Sequence, residues 1–257
     1  MKKFLIITTT ILFFLSSNIF SQEAEMNVDA AKLYNDGNKQ IKSGNYAGAL
    51  EDYNKALAID KDYRIYYQIH TVYKKQRKFE LAEDALKKCI AANPSFPLAY
   101  NAMGTNYYSW GKYELALENF EKFKELTKEK KYQDQASKYI GLAYTKLGDV
   151  ELKDRHYERG IEFLEKAVQN YNYDAAYLKL ADAYIELGKY EDALKAADNA
   201  INYRSKKSEV SKGAAYFYKG MAFKGLNEKD KAKENFKIAS SDKTYRDRCN
   251  HEIKYLD

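Results

Sequence analysis

The sequence predicts an all-α protein in which six helix hairpins stack into a solenoid and one C-terminal helix caps the last hairpin. Apolar residues recur at i, i+3, i+4 and i+7, the spacing of one helix face. In the stretch 97–126, Gly104 and Ala116 lie twelve residues apart and are the smallest residues on two successive apolar stripes. Small residues there let two antiparallel helices approach closely. A single hairpin cannot bury both of its faces, so it needs neighbours of the same kind.

Residues 1–21 are typical of a secretory signal. Lys2 and Lys3 precede a short apolar run over 4–15, and Ser21 suits the position before a cleavage site. An uncleaved membrane anchor is the alternative, but three threonines interrupt the apolar run, which favours cleavage. We therefore expect an exported protein of bacterial type, periplasmic or secreted, with no stable membrane anchor after cleavage. A polar spacer follows at 22–29.

The hairpin unit recurs six times over residues 30–240, and neighbouring copies start 33 to 40 residues apart. Each copy has a pair of such positions, one on each helix, and five of the six pairs are twelve residues apart. The pairs are Gly37 and Ala49, His70 and Ala82, Gly104 and Ala116, Gly141 and Gly160, Ala181 and Ala193, and Gly220 and Ala232. The copies cover about 30–63, 63–96, 97–130, 134–173, 174–207 and 213–243.

Two segments depart from the regular pattern. Nineteen residues separate Gly141 from Gly160 in the fourth copy, which predicts a longer hairpin loop or an extra helical turn around 149–156. The basic segment 204–212 predicts a solvated loop between the fifth and sixth copies.

The tail 244–257 predicts the capping helix. Its apolar residues have helical spacing, and terminal units of a repeat array need such a lid with a polar outer side. The apolar residues are Tyr245, Cys249, Ile253 and Leu256.

The repeated unit resembles the tetratricopeptide repeat, whose unit has about 34 residues with an aromatic, Leu-Gly, Tyr and then Ala-x3-Phe. The third copy carries Tyr100, Gly104 and Tyr107 on its first helix, then Ala116 and Phe120 on its second. The resemblance covers about 30–240. Individual positions depart from the pattern at Gln40, Phe123, Ser137 and Lys229, and the terminal Pro survives only as Pro94.

The resemblance implies a right-handed superhelix whose first helices line a concave groove that holds a peptide or a partner helix. Carrying the groove positions over gives candidate peptide-binding residues Tyr34, Asn38, Tyr67, Thr71, Lys74, Lys75, Asn101, Thr105, Tyr108, Lys138, Lys146, Leu178, Asp182, Phe217 and Met221. Part of the family clamps a C-terminal carboxylate with Lys, Asn and Arg residues. This sequence keeps only Asn38 of that clamp, so that ligand is disfavoured.

The groove candidates combine tyrosines at one end with lysines in the middle. Tyrosine is enriched at binding hot spots, although each of these rings could instead complete the core. We expect the partner to be a protein or peptide segment with some acidic character.

Catalysis and nucleic-acid binding are not expected. The formal net charge is +6, with basic and acidic residues interleaved rather than concentrated on one face. No phosphate loop, H-E-x-x-H, C-x-x-C or G-x-S-x-G motif occurs. His70, His156 and His251 lack the spacing of a metal-binding pair. We therefore predict no enzyme activity, cofactor or metal, and interpret His70 as a residue that widens the second hairpin seam.

Two cysteines, Cys89 and Cys249, lie at opposite ends of the predicted array. Four hairpins separate them, whereas a disulfide needs Cα atoms within about 7 Å. We predict two buried free thiols, with an intermolecular disulfide through Cys249 as the alternative.

Three functions fit the sequence. The first is a non-catalytic scaffold or adaptor in the bacterial cell envelope that binds a partner segment in its groove. The second is a structural subunit of an envelope or secretion assembly. The third is an accessory module that binds glycan or peptidoglycan fragments through its tyrosines.

Overall fold

The computed structural model describes residues 25–256, and this part of the chain contains thirteen α-helices and no strand. The all-α prediction is confirmed. The predicted signal at 1–21, the first spacer residues and Asp257 lie outside the described residues. The helices are α1 Val28–Lys42, α2 Tyr46–Ile59, α3 Tyr63–Lys75, α4 Phe79–Ala92, α5 Pro97–Trp110, α6 Tyr113–Leu126, α7 Lys130–Lys153, α8 Tyr157–Asn170, α9 Asp174–Glu186, α10 Tyr190–Asn202, α11 Gly213–Gly225, α12 Lys229–Ser240 and α13 Arg246–Lys254.

The first twelve helices pack in consecutive pairs, and each pair packs on the next. Within each pair, only two or three residues connect the helices. Such short connections force neighbouring helices into hairpins. The predicted array of six helix hairpins is therefore confirmed.

A glycine facing an aromatic ring closes the seam of three hairpins. A Cβ added to any of these glycines would lie 2.5–2.6 Å from a ring atom of its partner, closer than real Cβ atoms come. Glycine therefore sets how closely these helix pairs approach. The pairs are Gly37 with Tyr53, Gly104 with Phe120, and Gly220 with Phe236.

His70 takes the glycine position in the second hairpin, and the structure buries it to 3% exposure. Its partner position holds Leu86, which is fully buried and smaller than the rings that face Gly37, Gly104 and Gly220. His70 Nδ1 hydrogen-bonds to the carbonyl oxygen of Tyr67. Burial lowers the pKa of His70 to about 4, so the imidazole is neutral at pH 7.

The fourth hairpin departs from the sequence prediction. Residues 149–153 continue α7, and the connection 154–156 is three residues long, as in most other hairpins. The prediction of a longer loop is therefore wrong. A Cβ on Gly148 would lie 2.8 Å from Leu164 Cγ and 3.1 Å from the carbonyl oxygen of Gly160. Gly148, not Gly141, is thus the partner of Gly160, and the spacing of twelve holds in all six hairpins.

The extra residues of the fourth hairpin extend α7 at its N-terminal end instead. With 24 residues, α7 is the longest helix in the described part of the chain. Residues 130–140 make up about three additional turns. The predicted departure at Ser137 disappears with this correction, because Tyr144 now occupies the aromatic position four residues before Gly148.

The C-terminal helix α13 packs on α12 and covers the last hairpin. Cys249 and Leu256 join a buried cluster with Phe217 and Phe236. This is the predicted capping helix. Cys249 and Cys89 are both buried and free, as predicted.

The segment 203–212 contains no helix, but it is not simply solvated. Arg204 Nη1 donates to Asp174 Oδ2 at 3.2 Å, and Asp174 is 7% exposed. Ser208 also donates to Asp174. These contacts tie the loop to the start of α9.

No helix between residues 25 and 256 combines the length and apolar character needed to span a bilayer.

Candidate functional site

The predicted binding residues lie on the first helix of each hairpin: α1, α3, α5, α7, α9 and α11. Counted from the seam residue of each helix, most of them fall three residues before it or one residue after it, and Lys74 and Tyr108 fall four residues after it. We call the surface formed by these positions and their neighbours the first-helix face. The earlier row is Tyr34, Tyr67, Asn101, Thr145, Leu178 and Phe217. The later row is Asn38, Thr71, Thr105, Asp149, Asp182 and Met221.

At the α1 end, the two candidates Tyr34 and Asn38 both hydrogen-bond to other helices of the array. Tyr34 accepts a hydrogen bond from Gln68 Nε2 of the next hairpin at 3.3 Å, and its ring is half-buried. Asn38 Oδ1 accepts from the hydroxyl of buried Tyr53 at 2.7 Å. Tyr34 presents part of its ring to solvent, whereas the Asn38 oxygen already satisfies a core hydroxyl.

The Tyr67 ring contacts residues of two hairpins, so only part of it is free to contact a partner. Its ring packs edge-on against Phe96 at 5.4 Å and against His70 at 4.6 Å between centroids. Burial raises the pKa of Tyr67. Thr71 donates its hydroxyl hydrogen to the carbonyl oxygen of Tyr67 at 3.2 Å.

Lys74 is a half-buried cation on this face. Its ammonium donates to Thr105 Oγ1 on the next hairpin at 2.8 Å, and among the described residues no carboxylate pairs with it. Burial lowers the pKa of Lys74, because desolvation opposes the charged form. The neighbouring Lys75 is exposed.

A cleft of about 220 Å³ opens between α5 and α7, and we call it the α5–α7 cleft. Two predicted residues, Thr105 and Tyr108, line it. The Tyr108 ring packs edge-on against Tyr113 at 5.5 Å, and burial raises the pKa of Tyr108. The complete lining is Thr105, Tyr108, Ser109, Phe120, Tyr139 and Leu142.

Asn101 lies on α5, four residues before the cleft residue Thr105. Its Oδ1 atom is buried and has no hydrogen-bond partner within the described residues. This oxygen is an unused acceptor beside the face.

In the fourth hairpin, the corrected position of α7 changes which residues belong to the face. Lys138 and Lys146 are both exposed, but neither occupies the positions that match the other hairpins. Lys138 Nζ instead lies 5.5 Å from the centre of the Tyr171 ring. Both were predicted by counting from Gly141, with Lys138 three residues before it and Lys146 five residues after it. Counted from Gly148, neither holds a position used by the candidates of the other hairpins.

Thr145 and Asp149 take those positions, and the sequence prediction missed them. The Tyr173 hydroxyl donates to Thr145 Oγ1 at 2.6 Å. Asp149 forms an ion pair with Lys179 of the fifth hairpin. The twelve-residue spacing between Gly148 and Gly160 is the signal that could have found both.

At the C-terminal end, Tyr245 and α13 cover part of the first-helix face. Phe217 is only 2% exposed, packs on Tyr245 at 5.1 Å between centroids, and carries the Arg248 guanidinium 4.2 Å above its ring. Phe217 is therefore a core residue, and its prediction as a binding residue is wrong. Leu178 is also buried, at 8% exposure.

Asp182 remains exposed near this end. Neighbouring groups displace water from its carboxylate and raise its pKa, and Glu186 adds repulsion. Arg248 and Lys179 oppose that rise. The face thus carries lysines on α3 and a carboxylate on α9.

In the range 25–256, no group of three His, Cys, Asp or Glu side chains is arranged to hold a metal ion. Burial raises the pKa of Cys89 to about 12 and that of Cys249 to about 11, so neither is a thiolate at pH 7.

Helix hairpins stacked in chain order, with matching positions aligned along one face, define a helical repeat protein. Residues 63–96 and 98–130 match the tetratricopeptide repeat family, and residues 155–248 match a domain of unknown function (DUF3856). The chain therefore contains tetratricopeptide repeats.

Curated relatives are similar over most of the chain at low identity. The chain is 28% identical over 198 residues to RNA polymerase II-associated protein 3 of Homo sapiens, covering 73% of this chain and 29% of that protein. It is 25% identical over 217 residues to TPR repeat-containing protein MJ1428 of Methanocaldococcus jannaschii, covering 70% and 38%. The chain thus spans less than two fifths of either relative.

Among solved structures, the MamA RS-1 ArsTM double mutant aligns with a TM-score of 0.51 at 19% identity. The alignment covers 70% of this chain and 96% of that one. The likeness shows a shared fold.

Proposed function

We propose that this protein is a non-catalytic adaptor that binds a segment of a partner protein along its first-helix face. Protein–protein interaction is the general role of tetratricopeptide repeat proteins. The adaptor would act after export, in the bacterial envelope, an assignment that rests on the signal-like pattern of residues 1–21.

The observation that carries this proposal is the unpaired Lys74. Partly burying a cation costs free energy unless a counter-charge or hydrogen bonds compensate. Thr105 supplies one neutral hydrogen bond at 2.8 Å. A carboxylate of a bound segment would complete the environment of this ammonium, and partly exposed Tyr34, Tyr67 and Tyr108 would supply contact area on either side.

The test is capture of partners from an envelope fraction with the wild-type chain and with a triple variant, Tyr67→Ala, Lys74→Ala and Tyr108→Ala. Captured proteins are identified by mass spectrometry, and their affinities are measured at several salt concentrations. We expect the triple variant to lose at least about tenfold in affinity. Circular dichroism establishes whether the variant remains folded.

A second, milder variant separates binding from folding. Reversal of charge at Lys74 and Lys75 to Glu leaves the tyrosines in place and should weaken binding, with the largest effect at low salt. An affinity insensitive to both salt and charge reversal would remove the acidic character from the proposal. Equal capture by wild type and triple variant would refute the first-helix face as the binding surface.

The same experiment separates the two other functions. A stable large complex that survives the triple substitution would favour a structural subunit that uses the outer helices. Retention of glycan or peptidoglycan fragments, with no protein captured, would favour the accessory module.

A further inference from the structure

The α5–α7 cleft offers an apolar surface on the first-helix face. The rings of Phe120 and Tyr139 lie 5.1 Å apart in its lining. Of the four hydroxyls in the lining, two already donate to backbone oxygens of α5: Thr105 to Ala102 at 2.9 Å and Ser109 to Thr105 at 2.8 Å. The Tyr139 hydroxyl accepts from Gln135 Nε2 at 3.1 Å. The cleft therefore suits an apolar group rather than a polar one.

The N-terminal extension of α7 creates this cleft. Tyr139 belongs to the additional turns 130–140 and lies nine residues before the seam glycine Gly148. In the other hairpins after the first, the matching residue precedes the first helix, so no helical residue stands there. Those residues are Lys61, Ser95, Asn172 and Ser211. The cleft is thus a feature of the junction between the third and fourth hairpins.

A cation stands beside the cleft on its α3 side. Thr105 both lines the cleft and accepts the hydrogen bond from Lys74. On the opposite side, the carboxylate of Asp149 is already paired with Lys179. The charge at the cleft is therefore positive towards α3 and balanced towards α9.

We propose that the α5–α7 cleft binds one large apolar side chain of an extended segment of a partner protein, and that Lys74 pairs with an acidic side chain adjacent to it. The inference rests on the proposed function and adds the chemistry of the partner. An apolar cavity of about 150 Å³ accommodates benzene. The cleft of about 220 Å³ therefore has room for a leucine, methionine or phenylalanine side chain.

The experiment is a titration of the ¹⁵N-labelled chain with the blocked peptide acetyl-Gly-Ser-Glu-Leu-Glu-Ser-Gly-amide, followed by NMR. Glutamates on both sides of the leucine allow either chain direction, and the blocked ends remove terminal charges. We expect shifts in the amides of 105–109 and 139–142. Replacing leucine by alanine should weaken binding at least about tenfold, and replacing both glutamates by glutamine about threefold.

Two matched pairs of variants locate the contacts. Lys74→Gln should remove the preference for glutamate over glutamine, whereas Lys88→Gln, at an exposed lysine on α4 outside the first-helix face, should keep it. Ser109→Trp should fill the mouth of the cleft and abolish the leucine preference. Leu115→Trp, placed on α6 at a residue that is 37% exposed and not in the cleft lining, should leave that preference intact.

Several results would overturn the inference. No shift in the cleft at about 5 mM peptide, or shifts unaffected by Lys74→Gln and Ser109→Trp, would refute it while partner capture through the first-helix face still stood. Binding only of the peptide with a free carboxyl terminus would assign the site to a chain end. The same shifts on concentrating the protein alone would make a second copy the occupant. Failure of partner capture itself would refute the proposed function.

Discussion

His70 shows how one residue at a seam position changes the chemistry of its hairpin. In three other hairpins the seam position holds a glycine that faces an aromatic ring, and glycine has no titratable side chain. In the second hairpin a histidine fills the space, its partner is Leu86, and its imidazole hydrogen-bonds to the carbonyl oxygen of Tyr67. Desolvation lowers the pKa of His70 most, and the nearby Lys74 lowers it further.

This burial predicts a pH-dependent stability. The folded protein keeps His70 neutral down to about pH 4, whereas the unfolded chain takes up the proton near pH 6.5. The contribution is therefore present above pH 6.5 and is lost as the pH falls towards 4. At pH 4.5 the loss should reach about 2–3 kcal/mol in the free energy of unfolding.

The measurement is urea unfolding of wild type and His70→Gln between pH 7 and 4.5. Glutamine is similar in size and does not titrate, so the difference between the two proteins isolates His70 from the carboxylates. The wild type should lose stability relative to the variant as the pH falls. Parallel curves would show that His70 is not buried as a neutral side chain.

At the scale of the elements, the distance between the two helices of a hairpin depends on a glycine and the ring that faces it. In the third hairpin a Cβ on Gly104 would lie 2.6 Å from the Phe120 ring. The second hairpin, with His70 and Leu86, shows that a smaller partner accompanies a larger seam residue.

We therefore expect coupling between these two positions. Gly104→Ala should lower the free energy of unfolding by about 1 kcal/mol, since overpacking costs about 1–3 kcal/mol and the gain in helix propensity returns about 1 kcal/mol. In a Phe120→Leu background the same change should be neutral or stabilising. Urea unfolding of the two single variants and the double variant measures the coupling, expected to be about 1 kcal/mol. An identical effect in both backgrounds would contradict a seam set by this contact.

Sequence periodicity predicted the hairpins well, because each depends on local spacing of small and apolar residues. It placed the fourth hairpin incorrectly, because Gly141 and Gly148 both lie on the face of α7 that meets α8. A Cβ on Gly141 would come within 2.9 Å of the carbonyl oxygen of Ala167, near the end of α8. Two glycines seven residues apart fit the same stripe, and only the contact with Gly160 distinguishes them.

The site was less predictable than the fold. The resemblance to the tetratricopeptide repeat predicted five residues that the structure places on first helices: Tyr34, Tyr67, Lys74, Thr105 and Tyr108. The burial of Phe217 depends on α13, which folds back from the end of the chain to place Tyr245 and Arg248 against it. The α5–α7 cleft depends on where an extended helix passes its neighbour. Both are contacts between elements, which the pattern within one helix does not contain.

At the scale of the whole molecule, each hairpin packs mainly on the next, as in other repeat proteins. Matching positions on successive first helices therefore form one continuous surface. Contacts that cross hairpins run along it, from Gln68 with Tyr34 to Lys74 with Thr105 and Lys179 with Asp149. The second helices carry exposed apolar residues that are dispersed, such as Leu81 and Leu115.

The central claim is that a partner binds the first helices and not the second. Hydrogen–deuterium exchange of the chain with and without its captured partner tests this most directly. We expect slower exchange in the bound state over 63–75, 97–110 and 139–149, the regions of α3, α5 and α7 around Lys74 and the α5–α7 cleft. Protection confined to α4, α6 and α8, with the first helices unchanged, would contradict it.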